Sequence, residues 1–374
     1  MRHVTLVIKT TQACNAACIY CSSWKEDYTE INMSEETLRA LHVRLAEYAQ
    51  EGDLEDVLFT WHGGEPLLMD NSFYYRALDL QEELLKPLGI KVGNIMQSNL
   101  LSLNEKKAEM LVKLLHFHDG QPSSVGTSFD PIPGIRVMKH GDYERRFREA
   151  VSVAQEYGIA LGLVYTVHKY SVDRVKEIYD FLTSEFPDMT IRFNPLYHEG
   201  RALLPEGERY YITPREWGRF LVELHEIWDA DDKKHTIEPF AALWDFHQGT
   251  GYSLDCEHSG SCSEHHLGIG TDGTVYCCCR GVDLARRPYG NLNSEKLASI
   301  LMSPYRVQLH NRSIYLRMTV CRDCKWWRYC HGGCPVESDI SYGDLFHPTS
   351  WCEGWERYFD TIFGSPREET PGSS

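Results

Sequence analysis

The chain is short of positive charge. Its 374 residues carry 38 lysines and arginines against 54 aspartates and glutamates, a formal net charge of −16. A nucleic-acid partner would call for a basic face, so this balance argues against one. Acidity by itself implies little beyond solubility. Long apolar runs are also lacking, and none is long enough to span a bilayer, so no membrane partner is expected. The opening MRHVTLVIKTTQ has neither the apolar core nor the small-residue cleavage site of a secretion signal. No internal repeat or low-complexity segment is present. The GxSxG nucleophile elbow of α/β-hydrolases is missing as well.

Cysteine, by contrast, is abundant, with thirteen residues. A disulfide scaffold would need an exported chain. These cysteines instead cluster at short spacings in two regions, as metal ligands do. Spacing and the missing export signal favour iron–sulfur clusters over disulfides or zinc, and a cytoplasmic location where thiols stay reduced.

The first two-thirds of the chain alternates short apolar runs with helical patterns. Strands are predicted at Val4–Lys9, Asp56–Trp61, Lys91–Ser98, Ser124–Phe129, Ala160–Val167 and Thr190–Asn194. Helices are predicted from Ser34 on, where Leu38, Leu41 and Leu45 form a stripe, and at Tyr74–Leu85, Glu105–Leu115, Tyr143–Tyr157, Val172–Glu185 and Pro214–Trp228. Such alternation implies parallel strands with right-handed crossovers. The expected fold class is α/β, a partial (β/α)6 TIM-type barrel with ligand sites at the carboxyl ends of its strands. The pattern changes after the polar stretch Asp229–Lys234. The expected division is a barrel over 1–235, a small metal-stapled domain over 236–366 and a disordered tail over 367–374.

Directly after the first apolar run, Cys14, Cys18 and Cys21 form a CxxxCxxC triplet. Three thiolates can hold three irons of a four-iron cubane and leave the fourth open. An open metal position marks a catalytic site rather than a structural one. With Tyr20 just before the last cysteine, the triplet resembles the signature of radical S-adenosylmethionine (SAM) enzymes. The resemblance implies SAM bound to the open iron through its amino and carboxylate groups, and release of a 5′-deoxyadenosyl radical on reduction. In such enzymes the cofactor carries the chemistry and the protein positions it.

A second motif, Gly63-Gly64-Glu65-Pro66, ends the second strand and resembles the GGEP turn of the same enzymes. Its glycines permit close backbone approach, and Glu65 could accept from the SAM ammonium. His62 is expected to be a structural hydrogen-bonder. By the resemblance, Gln97, Ser98 and Asn99 after the third strand, and Ser128 and Asp130 after the fourth, make polar contacts to SAM. Arg136 would meet the SAM carboxylate and Tyr20 would pack on adenine.

Towards the carboxyl end stand Cys262, Gly273, Cys278, Cys321-x2-Cys324-x5-Cys330-x3-Cys334 and Cys352. This resembles the seven-cysteine SPASM extension found on radical SAM enzymes that modify peptides. Cys256 adds an eighth ligand, enough for two fully ligated four-iron clusters. A zinc ribbon from Cys321, Cys324, Cys330 and Cys334 is the alternative. Nearly the whole chain resembles the anaerobic sulfatase-maturating enzymes, notably in Asp272-Gly273-Thr274-Val275-Tyr276 and the run Lys325–Cys334. That resemblance implies an inner cluster on Cys256, Cys262, Cys278 and Cys334 and an outer one on Cys321, Cys324, Cys330 and Cys352, making three [4Fe–4S] clusters in all.

One departure stands out. In those maturases an aspartate acting as general base follows the cysteine that aligns with Cys278, whereas here the position is Cys279. A thiol of pKa ~8.5 is a poor replacement for a carboxylate of pKa ~3.9. A weak S–H bond is, however, a good hydrogen-atom donor. The expectation is therefore a radical SAM oxidoreductase acting on a ribosomally made peptide, forming a cross-link (carbon–carbon or thioether) or an epimer, with Cys279 as donor or substitute base. Cys277 and Cys279 could equally be packing thiols. Formylglycine formation from a cysteine or serine of a sulfatase is the alternative. A non-catalytic iron–sulfur electron carrier is the alternative of another class, opposed by the paired SAM motifs. Expected partners are the peptide or protein substrate and an external electron donor of flavodoxin or ferredoxin type. Because the chain starts at the first strand, no fused peptide-recognition domain is expected, and a separate leader-binding protein is a further candidate partner.

Overall fold

The computed structural model describes residues 1–24, 31–52, 54–117, 120–232, 235–250 and 254–365. The expected tail, 367–374, lies outside the described residues. The chain begins with strand–helix alternation: β1 His3–Lys9, α1 Glu35–Glu51, β2 Asp56–His62, α2 Asn71–Leu80, β3 Lys91–Gln97, α3 Glu105–Leu114, β4 Ser124–Ser128, α4 Tyr143–Glu156, β5 Ala160–Val167, α5 Val175–Glu185 and β6 Thr190–Pro195. This is the partial (β/α)6 barrel fold that the sequence predicts. There follow α6 Pro205–Glu208, α7 Pro214–Asp229, β7 Ile237–Glu238, α8 Phe240–Gln248, α9 Cys262–His265, β8 His266–Ile269, β9 Thr274–Tyr276, α10 Cys279–Leu284, β10 Gly290–Asn291, α11 Leu297–Ile300, α12 Pro304–Met318, α13 Trp327–Cys330, α14 Pro335–Tyr342 and α15 Cys352–Ile362.

Local chemistry sets these boundaries. Short polar side chains accept from the first free amides of successive helices. Ser34 accepts from Thr37 N at 3.1 Å, Asp70 from Ser72 N at 2.8 Å, Asn104 from Lys107 N at 3.1 Å and Asp142 from Arg145 N at 3.1 Å. Thr213 and Glu216 form a reciprocal capping box on α7. Strands alternate in burial, as β1 does with Val4, Leu6 and Ile8 inward and β2 with Val57, Phe59 and Trp61. The helix predicted over Tyr74–Leu85 starts earlier, at Asn71, and its end loosens into a π turn over Gln81–Leu85.

The chain forms two compact units, interleaved along the sequence. The first comprises residues 1–164, 199–208 and 263–310. In it β1 to β5 run parallel in sequence order. The short strand β8 adds to the other side of β1, also parallel, from Thr5↔His266 to Ile8↔Ile269. Then β9 pairs antiparallel with β8, and β10 with β9. This pairing is why residues 263–310 belong with the barrel's first strand.

The second unit comprises 165–198, 209–262 and the chain from 311 on. Here β6 pairs parallel with β7, and α7 packs on α15 at glycine contacts. A Cβ on Gly218 would meet Gly354 O at 2.7 Å, and one on Gly354 would meet Pro214 O at 2.5 Å. Trp217 stands edge-on to Trp355, with centroids 5.9 Å apart. No described helix is long and apolar enough to cross a membrane.

Candidate active site

Because β1 to β4 are parallel, everything that follows their carboxyl ends gathers at one edge of the first unit. Cys14, Cys18 and Cys21 follow β1. Two sets of backbone bonds hold their loop. On one side residues 15–19 pair with 135–139: Ala17 N donates to Val137 O at 2.8 Å, Ile19 N to Ile135 O at 3.1 Å and Lys139 N to Asn15 O at 3.1 Å. On the other side Gly64 N donates to Thr11 O at 2.8 Å and Glu65 N to Ala13 O at 2.7 Å. A Cβ on Gly64 would meet Ala13 O at 2.4 Å and Gln12 O at 2.6 Å. The Gly63–Pro66 turn thus braces the cysteine loop, and only glycine fits there.

Glu65 is fully buried and well supplied with donors. It accepts from Leu67 N at 2.9 Å, Ser98 Oγ at 2.7 Å and Asn99 N at 2.6 Å. Burial nevertheless holds its pKa above the usual carboxylate value. Pro66 accepts through its carbonyl from Tyr74 OH at 2.7 Å. Asn99 Nδ2 reaches Asn15 Oδ1 at 2.9 Å and Cys14 Sγ at 3.7 Å. Gln97 lies against Gly126, where a Cβ would meet its Oε1 at 2.1 Å. His62 is structural: its Nδ1 accepts from Gly63 N at 2.8 Å and its carbonyl from Thr10 N at 2.9 Å.

Arg136 donates through Nε to Tyr143 OH at 2.7 Å and through Nη1 to Tyr20 OH at 3.4 Å. Tyr143 in turn donates to Ser128 O at 2.8 Å. Asp130 accepts from Ile132 N at 2.9 Å. The residues that the sequence assigns to SAM therefore share one region of the first unit, beside the three cysteines.

These thiols suit an iron–sulfur cluster by their chemistry. Burial, helped by neighbouring groups, pushes Cys14 up to about 11 and Cys21 up to about 12. Bare, they would keep their protons at neutral pH, and a cationic iron core would displace them. Three soft donors leave a fourth metal position for another ligand.

Sequence reasoning missed a polar group beside the triplet. Lys9, a cation at the end of the apolar β1, is buried and bonds Asp283 Oδ1 at 2.8 Å. Ser23 Oγ joins both, 2.8 Å from Lys9 Nζ and 3.0 Å from Asp283 Oδ2. Burial, the largest single influence, would lower the Lys9 pKa, but the charge and hydrogen bond of Asp283 together with neighbouring groups outweigh it and the net shift is upward. A cavity of about 230 Å³ opens here, lined in part by Lys9, Ser23, Gly64, Thr271 and Asp283. Cys279 begins α10, one turn before Asp283. A hydrogen bond with Cys278, and loss of hydration after it, push the Cys279 thiol well above its ordinary value.

In the second unit Cys321, Cys324, Cys330 and Cys352 line one cavity of about 490 Å³, with Trp326 and Trp355. Cys334 is not in that group. It lies near Cys262, whose thiol is pushed up to about 12 by burial and by the neighbouring Cys334 and Cys256. This grouping separates Cys334 from the other three cysteines of the zinc-ribbon alternative. Between the groups Arg312 is buried, donating to Leu345 O, Gly333 O, Gly332 O, Ser338 Oγ and His347 O at 2.6–3.1 Å. Cys278 belongs to the first unit. None of the thirteen cysteines forms a disulfide.

Residues 8–182 match the Radical SAM superfamily and residues 256–325 match the SPASM iron–sulfur cluster-binding domain. The chain is 26% identical to the serine-type anaerobic sulfatase-maturating enzyme of Klebsiella aerogenes over 362 residues, covering 95% of this chain and 84% of that enzyme. It is 23% identical to the cysteine-type enzyme of Clostridium perfringens over 384 residues, covering 97% of each. A solved structure described as native anSMEcpe with bound AdoMet and Kp18Cys peptide superposes with a TM-score of 0.79 at 21% identity, over 96% of this chain and 97% of that one. At that identity the likeness concerns the fold alone. The chain joins a radical SAM domain to an SPASM iron–sulfur cluster-binding domain.

Proposed function

We propose that this radical SAM maturase oxidises the side chain of a cysteine or serine in a sulfatase-type protein to the aldehyde formylglycine. The observation that carries the reading is the extent of the similarity. It runs through both domains, over 95% and 97% of the chain, and reaches serine-type and cysteine-type enzymes alike. The cross-linking expected from the sequence rested on Cys279 alone, and it is kept as the second reading on that one observation.

In this reading Cys14, Cys18 and Cys21 hold the cluster that binds SAM. Cys321, Cys324, Cys330 and Cys352 hold an outer cluster, and Cys256, Cys262, Cys278 and Cys334 an inner one. Loaded, the first site supplies a hydrogen-atom abstractor. The chain's own residues position it: the Gly63–Pro66 turn braces the cysteine loop, Glu65 ties that turn to Ser98 and Asn99, and Arg136 fixes Tyr20. Peptide substrates and an external electron donor enter as partners, and a reducing cytoplasm suits thiols that must stay unoxidised.

The test is anaerobic incubation of the reconstituted protein with SAM, dithionite and a synthetic peptide spanning the target cysteine or serine of a sulfatase. The serine peptide should become lighter by two hydrogens, matched by 5′-deoxyadenosine. Unchanged sulfatase peptides, with a cross-link formed in a peptide encoded beside this gene, would give the second reading instead.

A further inference from the structure

Glu199 lies in the loop after β6, and the backbone next to it is pinned to the cysteine loop. Arg201 N donates to Cys21 O at 2.9 Å, and Arg201 Nη1 donates to Ala17 O at 2.8 Å. Gly200 between them has φ +58°, and a Cβ there would meet Cys21 O at 2.4 Å and Ser22 O at 2.5 Å. These contacts fix the backbone beside Glu199 against the cysteine loop.

That side chain is 4% exposed, and neither Oε atom has a hydrogen-bond partner among the described residues. The titratable groups around it are Asp283, Arg280, Cys279 and Lys9. Lys9 is committed to Asp283 and Ser23. Asp283, Glu65 and Asp130 accept from donors nearby; Glu199 has none among the described residues. A buried carboxylate without donors is costly and rare. Such groups gather where the partner comes from outside the chain.

Resting on the reading above, we propose that Glu199 is the base of this enzyme, taking the proton from the sulfur or oxygen of the substrate side chain. The need for such a base follows from the chemistry. Removing a hydrogen atom from the β-carbon of CH2–XH leaves a carbon radical. That radical becomes CH=X by losing the X–H proton and one electron. The proton passes to a Glu199 Oε atom. The electron passes to an iron–sulfur acceptor of the one-electron class. Burial, with the Asp283 charge after it, pushes Glu199 up to about 8, within the working range of a general base. Asp283, held by Lys9 and Ser23, is a positioning residue that keeps negative charge beside it.

The test compares wild type with Glu199→Gln and Glu199→Asp, all reconstituted, on the sulfatase serine peptide. The readout is aldehyde formed per 5′-deoxyadenosine, with iron content as the check on folding. Glu199→Gln should lower that ratio on the order of 10²-fold, and Glu199→Asp should restore part of it. In wild type the ratio should rise with pH through one ionisation near 8. A Glu199→Gln ratio equal to wild type overturns the assignment. If that variant loses its iron, a pH-independent ratio in wild type overturns it instead. A wild type that releases 5′-deoxyadenosine but never oxidises the serine peptide contradicts the substrate reading, and the assignment falls with it.

Discussion

Lys9 Nζ lies 2.8 Å from Asp283 Oδ1, with both side chains under 10% exposed. The pair ties β1, which leads into the cysteine triplet, to α10, which begins at Cys279. Breaking one side of a buried pair leaves an uncompensated charge. Lys9→Met should therefore destabilise the protein by about 3–5 kcal/mol. The double variant Lys9→Met/Asp283→Leu should recover most of that loss. Thermal unfolding of the two variants against wild type checks this.

Gly64→Ala tests the bracing of the cysteine loop. The new methyl would collide with backbone oxygens of Gln12 and Ala13, and backbone cannot swing aside as a side chain does. A cost of about 1–3 kcal/mol is expected. Because the displaced segment leads into Cys14, iron bound per chain should fall. Iron assay after reconstitution reads it directly.

His42 makes the protein acid-sensitive. It is fully buried, stacks on Phe59 with centroids 5.2 Å apart, and its Nδ1 meets Leu38 O at 2.8 Å. Burial lowers its pKa from 6.5 to about 4. As pH falls from 6.5, the unfolded chain takes up a proton that the fold refuses. Stability should therefore decline between pH 6.5 and 4, by about 3 kcal/mol in total from this residue. His42→Leu should flatten that part of the stability–pH curve, as followed by denaturant titration at each pH.

Arg312 holds the auxiliary region together. Its buried guanidinium supplies donors to four carbonyls and one hydroxyl. Arg312→Leu would take a donor from all five acceptors; Gly332 O keeps Thr349 N at 2.8 Å, and each of the others left buried and dry costs about 1–3 kcal/mol. Loss of the folded second unit is expected. Limited proteolysis should cut Arg312→Leu rapidly and wild type slowly.

The strands and helices were legible because period and caps agree. Val4, Leu6 and Ile8 alternate, and Ser34, Asn104, Asp142 and Thr213 each precede a helical stripe. The cysteine triplet and the Gly63–Pro66 turn were legible as residue patterns, and parallel strands bring them to one edge. The interleaving of the units was not legible. It depends on β8, four residues long, pairing with β1, and four residues carry no periodic signal. Glu199 was missed for a different reason: a lone acid in a loop reads as solvated, and only its burial without donors sets it apart. The Lys9–Asp283 pair joins the two ends of a long stretch of sequence. Its one trace was a lysine closing an otherwise apolar run.

The most direct measurement follows the hydrogen itself. Sulfatase peptides deuterated at the β-carbon of the target serine or cysteine would be turned over anaerobically and the 5′-deoxyadenosine weighed. Deuterium in 5′-deoxyadenosine, matched by aldehyde in the peptide, is the expected result. Unlabelled 5′-deoxyadenosine with an unaltered peptide would contradict the account, because the hydrogen would then come from some other position or some other substrate.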